Sequence, residues 1–320
     1  MRFVIKISFF VIFLSLTLFA KEKIIIFHAG SLSKPFAELE KRFEEKYPQY
    51  DVIREAAGSR LCARKVAELH KPADIVASAD YKVIDNLLIP EYAKFNIHFA
   101  TNEMAIAYTE KSKKSDVINS TNWPEILLNK DVIVGHSNPN LDPCGYRTML
   151  VVKLAEKFYN INKFFDKLFG YGNFYENGEE NKRKIIVRPK ETDLLSLLEA
   201  GVIDYLFIYK SVAIQHGLKY IELPKEISLG DNKFKEYYSK VSFKITGKTP
   251  GSFILKKGEP MIYGITIVEH ENLLPVNKKG AVEFIKFLLS KEGKDILIKN
   301  GQNVIDPPVI TGDSSILQNE

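Results

Sequence analysis

Lys23-Ile24-Ile25-Ile26-Phe27 is an apolar run with no polar face. A strand of that kind must be covered on both sides, which is the condition of a parallel sheet held between two helix layers. The chain then alternates. Phe36, Leu39, Phe43 and Tyr47 recur at helical spacing up to Tyr47-Pro48. Residues 50–55 read as a second strand. The helix after it carries Cys62, Val66 and Leu69 on its apolar face, and residues 73–78 read as a third strand before a short helix over 81–88. This rhythm predicts an α/β domain with a doubly wound parallel sheet.

The 320 residues suffice for two domains at about 150 residues each. Residues 102–108 form a strand with no long helix after it and read as a crossing into a second domain. There, strands are expected over 131–135, 184–188 and 204–209. A helix containing Thr148 to Phe158 is expected after the first of these. A helix with Leu194, Leu195, Leu197 and Leu198 follows the second and stops at Gly201. Residues 164–180 read as a helix end plus loop, and 218–265 alternate as added antiparallel strands do. Residues 263–268 read as the return crossing, 281–289 as a closing helix, and the chain after Asp306 as surface. The expected lobes are 21–102 with 266–320, and 103–265.

Arg2, Lys6, the apolar stretch 7–19 and Ala20 make residues 1–20 a signal peptide or an N-terminal anchor, too short for a full span of about 20 apolar residues. No cysteine adjoins Ala20, so no lipid-modified cysteine is expected there. Without Arg2 and Lys6 the net charge falls from +5 to +3. Acids and bases are interspersed, so no nucleic-acid footprint is expected. The two cysteines, Cys62 and Cys144, do not require a disulfide by count or spacing.

Three strand-to-helix turns carry small polar residues: Gly30-Ser31-Leu32-Ser33, Gly58-Ser59, and Asp142-Pro143-Cys144-Gly145. Asp142 is placed to be an N-cap and Pro143 the first helical residue. Free N–H groups at helix starts favour anions, and ligands of open α/β sheets bind beyond the carboxyl ends of the strands. The bland reading makes Ser33, Ser59 and Asp142 plain helix caps. Arg60 and Arg147 stand beside two of the turns, as anion partners or as solvated helix starts. None of the turns is a Walker loop, a dinucleotide fingerprint or a nucleophile elbow around His28. The six histidines show no metal-ligand spacing.

Asp142 and Glu191 would both face the cleft. Two carboxylates are electrostatically wrong beside sulfate or phosphate. Either they point away, or one is a general acid or base, or the anion has an electrophilic centre that takes carboxylate oxygens, as a large metal oxyanion does.

His28-Ala29-Gly30-Ser31-Leu32, Ala56-Ala57-Gly58-Ser59-Arg60, Asp142-Pro143-Cys144-Gly145-Tyr146-Arg147, Arg188-Pro189-Lys190-Glu191-Thr192-Asp193-Leu194-Leu195 and Asp204-Tyr205-Leu206-Phe207-Ile208-Tyr209-Lys210-Ser211 together resemble the molybdate/tungstate-binding proteins of archaeal-type ABC importers. The resemblance implies the type II periplasmic-binding-protein fold, two α/β lobes joined by two crossover strands. It implies that Ser31, Ser59 and Tyr209 hold the oxyanion. It further implies that Asp142 and Glu191 bind the metal centre directly, giving an octahedral site. No cofactor is expected beyond the ligand. The expected partner is a membrane permease, and the expected state a monomer. Two departures stand out: the loop over 169–182 is short, and the signal junction is not of the lipid-anchored kind. The competing readings are a sulfate, phosphate or ferric-iron binder on this fold, and an exported hydrolase using the carboxylate pair. Against the hydrolase, Trp123 is the only tryptophan available to stack on a sugar.

Overall fold

The computed structural model describes residues 20–170, 184–269 and 277–318. Residues 1–19 of the expected targeting segment and most of the loop expected over 169–182 lie outside them.

The first half runs β1 (Glu22–Ala29), α1 (Ser33–Lys46), β2 (Tyr50–Ala57), α2 (Ser59–Ala67), β3 (Ile75–Ser78), α3 (Tyr81–Leu87) and β4 (Phe95–Thr101). As expected, β1 pairs in parallel with both β2 and β3. Its side chains alternate between two cores. Ile24 and Ile26 pack with Phe36, Phe43 and Phe284, while Phe27 packs with Cys62, Val66 and Val83. That alternation is why the run has no polar face. Leu69 lies past the end of α2 and is exposed.

A second sheet follows: β5 (Met104–Tyr108), α4 (Trp123–Leu128), β6 (Val134–Ser137), α5 (Pro143–Phe158), α6 (Phe164–Phe169), β7 (Ile185–Arg188), α7 (Leu195–Glu199), β8 (Tyr205–Tyr209), α8 (Lys210–Gln215) and β9 (Lys219–Glu222). Its order is β7-β6-β8-β5-β9. After α9 (Lys235–Tyr238), the strands β10 (Ser242–Thr246) and β11 (Phe253–Lys257) form a separate antiparallel hairpin. The chain then returns through β12 (Ile262–Ile267), α10 (Lys278–Leu289), α11 (Lys291–Lys299) and β13 (Asn303–Gly312). This completes a first sheet of order β13-β4-β12-β3-β1-β2.

Four details differ from the sequence reading. β6 starts later and runs through His136 and Ser137, because Ile133 spends its N–H on the Asp204 carboxylate (2.8 Å) ahead of the strand. β12 is shifted by one residue, Ile262–Ile267 against the expected 263–268, and joins the first sheet from Ile262. β4 was not anticipated: its polar Asn96 and His98 are buried, and Asn96 donates to Tyr81 O and Asp85 (both 2.9 Å). β13 was not anticipated as a strand, although its residues after Asp306 are largely exposed, as expected. It is an edge strand whose pairing to β4 breaks between Val304 and Val309, around Pro307-Pro308, and an edge or an irregularity is where a sheet tolerates proline.

Candidate functional site

The three polar turns converge. An ideal Cβ on Gly30 would stand 3.0 Å from both carboxylate oxygens of Glu191. One on Gly58 would stand 2.5 Å from Leu141 O and 2.9 Å from the Asp142 Cβ. Glycine at 58 is therefore required by close approach of the two sheets' turns, while at 30 a Cβ would press on side-chain ends that can move. Gly58→Ala is expected to hold those turns apart, because the atoms it meets are backbone. Overpacking of this kind costs about 1–3 kcal/mol, and small-angle scattering should show a larger radius of gyration.

Asp142 is the N-cap of α5, with Oδ1 accepting from Cys144 N (3.2 Å) and Pro143 at the helix start. Its other oxygen accepts the Glu191 N–H (3.1 Å). The helix start thus already holds a protein carboxylate, which corrects the expectation of an open anion site there. Ser33 and Ser59 are the first helical residues of α1 and α2, one position past the N-caps Leu32 and Gly58, so the plain-cap reading fails for both. The Ser59 hydroxyl instead accepts from Ala79 N (2.9 Å).

Glu191 is fully buried, and no hydrogen-bond donor among the described residues reaches either of its oxygens. Burial pushes its carboxyl well above the ordinary carboxylate range, and the Asp142 charge pushes further. Burial also raises Asp142, against the hydrogen bonds it accepts. The region is completed by Ser31, whose Oγ accepts from Tyr263 (3.0 Å), and by Tyr209, which accepts from Arg147 Nη1 (2.9 Å) and lies 6.4 Å from Tyr263 between ring centroids. All five expected site residues are buried.

The expected role of Arg60 changes. It is buried, and it donates to the backbone carbonyls of Asn140 (Nε, 3.0 Å) and Thr246. Arg147 is also buried, between Tyr209 and Ala79 O (2.7 Å). His28 donates to Ala29 O, packs on Phe36, and is lowered to about 4 by burial, so it is a neutral core residue. Cys62 and Cys144 are free, buried thiols. Trp123 is buried and donates to Tyr159 (3.2 Å), so it is not placed to stack on a sugar.

One cluster escaped the sequence reading. Asp80, after β3, accepts from Lys256 Nζ of β11 (2.7 Å) and from Tyr146 of α5. Burial opposes its ionisation, but Lys256 and Arg147 outweigh that and hold the carboxyl far below its usual range. The signal was present: Ser78-Ala79-Asp80-Tyr81 is a further strand-to-helix turn with an aspartate N-cap. Lys256 gave no signal, being one lysine among many.

This architecture, two α/β sheets whose turns close on buried polar groups, is that of a type II periplasmic binding protein. The Azotobacter vinelandii periplasmic molybdate-binding protein superposes with a TM-score of 0.60 at 14% identity, over 87% of this chain and 98% of that one. The chain belongs to the bacterial extracellular solute-binding protein family, whose model matches residues 24–303. It is 47% identical over 307 residues to the molybdate/tungstate-binding protein WtpA of Pyrococcus abyssi, covering 91% of this chain and 87% of the relative. It is 53% identical over 286 residues to an uncharacterized solute-binding protein of Petrotoga mobilis, covering 89% and 85%. Membership gives an extracytoplasmic solute-binding role in transport. Among the described residues no helix is long and apolar enough to cross a membrane.

Proposed function

We propose that this protein captures tungstate or molybdate between two lobes outside the cytoplasm and delivers it to an ABC permease. The lobes in this reading are 21–102 with the chain from about 262 onward, and the intervening segment. Residues 1–20 act as a signal peptide or membrane tether, and the protein works as a monomer. Asp142 and Glu191 bind the metal centre of the cargo, while Ser31, Ser59 and Tyr209 hold its oxygens. The observation that carries this reading is Glu191: a buried carboxyl with no donor on either oxygen, against a second buried carboxyl. Such an arrangement is costly unless something positive reaches it. The metal centre of a large oxyanion is electrophilic and takes added oxygen ligands; the sulfur of sulfate does not. The carboxylates therefore repel sulfate while serving tungstate.

The ferric-iron reading is disfavoured. It would draw on the tyrosines of this region, Tyr209 and Tyr263. Both hydroxyls are engaged, by Arg147 and by Asn102 and Ser31.

Calorimetric titration of the protein with tungstate, molybdate and sulfate in one buffer tests the proposal. Tight one-to-one binding of the first two with no heat from sulfate is expected. Heat from sulfate at equal affinity, or from none of the three, would remove it.

A further inference from the structure

We infer that Asn102 and Tyr263 form a one-way hydrogen-bond relay that fixes Ser31 as a donor to the bound oxyanion, a positioning role that rests on the capture reading above. Asn102 lies between β4 and β5, where the chain first leaves the first sheet, and Tyr263 lies in β12, where it returns. Both are buried.

The direction of the relay follows from a group that can only donate. The backbone N–H of Glu103 points at Asn102 Oδ1 (2.9 Å), and the N–H of Ser211 approaches the same oxygen (3.4 Å). Those contacts settle which end of the amide is oxygen. The Nδ2 group, with its two hydrogens, therefore faces Ser211 Oγ (2.7 Å) and the Tyr263 hydroxyl (2.9 Å). Tyr263 receives a hydrogen from Asn102 and has one of its own to place. Its acceptor among the described residues is Ser31 Oγ (3.0 Å). A buried hydroxyl hydrogen left unplaced is costly, so the Tyr263 hydrogen goes to Ser31. Ser31 then holds its own hydrogen away from Tyr263. Its backbone carbonyl is fixed separately, by Gln302 Nε2 (3.2 Å).

A hydroxyl is normally ambivalent, able to donate or accept. The relay removes that ambivalence. Ser31 presents a hydrogen to an oxyanion oxygen, and an anion that itself carries an O–H at that point accepts it more weakly and finds no acceptor in Ser31 for its own hydrogen.

Two experiments test this. The first needs no ligand: a neutron structure of the perdeuterated protein. A deuteron on Tyr263 aimed at Ser31 Oγ is expected; a Ser31 deuteron aimed at Tyr263 would overturn the relay. The second is a double-mutant cycle in tungstate affinity. Ser31→Ala should weaken binding about tenfold to a hundredfold. Asn102→Asp has no amide hydrogen to give, so Tyr263 turns towards it and Ser31 turns towards Tyr263; a similar loss is expected. Tyr263→Phe, which leaves Ser31 free to donate, should lose only a few-fold. The decisive quantity is the effect of Asn102→Asp on the Ser31→Ala background, expected to be close to none. Full additivity would mean Asn102 acts only through the fold, and would overturn the relay. Silence of the unaltered protein towards tungstate would count against the capture reading alone, and the neutron result still judges the relay.

Discussion

Glu191→Gln is expected to raise the melting temperature of the ligand-free protein while weakening tungstate binding by a hundredfold or more, about 3 kcal/mol. The two effects have one cause. In the ligand-free protein both Glu191 oxygens are buried without a donor, beside Asp142. At pH above the raised Glu191 value, where both carboxyls are ionised, an amide removes the like-charge conflict and offers hydrogens to the neighbouring carboxylate. Relief of a buried unsatisfied group is worth about 1–3 kcal/mol. In the bound state the same change removes a ligand to the metal centre. Sulfate, which takes no such ligand, should lose far less, and equal losses for the two anions would remove the coordination argument.

The pH dependence sharpens this. Glu191 has an ordinary value of 4.5 and is raised well above it in the fold. Over that window the native protein binds a proton that the unfolded chain has released, so stability falls with rising pH. The contribution is complete below about 4.5 and is lost as pH climbs through the raised folded value. Thermal melts of the ligand-free protein should show that decline, and Glu191→Gln should flatten it. A melting temperature equally pH-dependent in both proteins would show that Glu191 is not the group responsible.

Much of this was legible in the sequence where local chemistry and fold agree. β1 has no polar face because helices cover it twice, and Asp142-Pro143 starts α5 because both residues suit a helix start. The site turns were legible for the same reason: small residues allow close approach, and Gly58 sits where any Cβ would strike the backbone of the facing turn. What stayed hidden depends on partners distant in sequence. β4 carries buried Asn96 and His98, which mask its pattern until the groups that satisfy Asn96 are known. β13 holds two prolines that only an edge position explains. Arg60 beside a polar turn suggested an anion partner, yet backbone carbonyls 80 and 186 positions away claim its guanidinium.

Asp80 and Lys256 belong to that second kind, and they give the other large expected effect. The pair is 176 positions apart and buried, and joins the β3–α3 turn of the first sheet to the hairpin of β10 and β11. Beside it, Arg147 grips Ala79 O and Tyr209, and Ala79 N is held by Ser59. In the capture reading the lobes close on the cargo, and this contact spans them beside two of the proposed oxyanion ligands. A buried ion pair adds little over a well-packed apolar pair, but removing one partner costs about 3–5 kcal/mol. Opening the cleft would return the stranded charge to water, so the cost falls on the closed state alone. Lys256→Met should therefore shift the open–closed equilibrium towards open and weaken apparent tungstate affinity by the closed fraction lost, at least a hundredfold. Asp80→Asn should act in the same direction. The double variant Asp80→Asn/Lys256→Met removes both charges of the pair, leaves Arg147 its bonds to Ala79 O and Tyr209, and should recover part of the loss. Stopped-flow dissociation of tungstate from the four proteins measures this, with dissociation fastest in the single variants. Equal rates in single and double variants would mean that the pair contributes to closure as two independent groups, and that the attraction between them is not what holds the cleft shut.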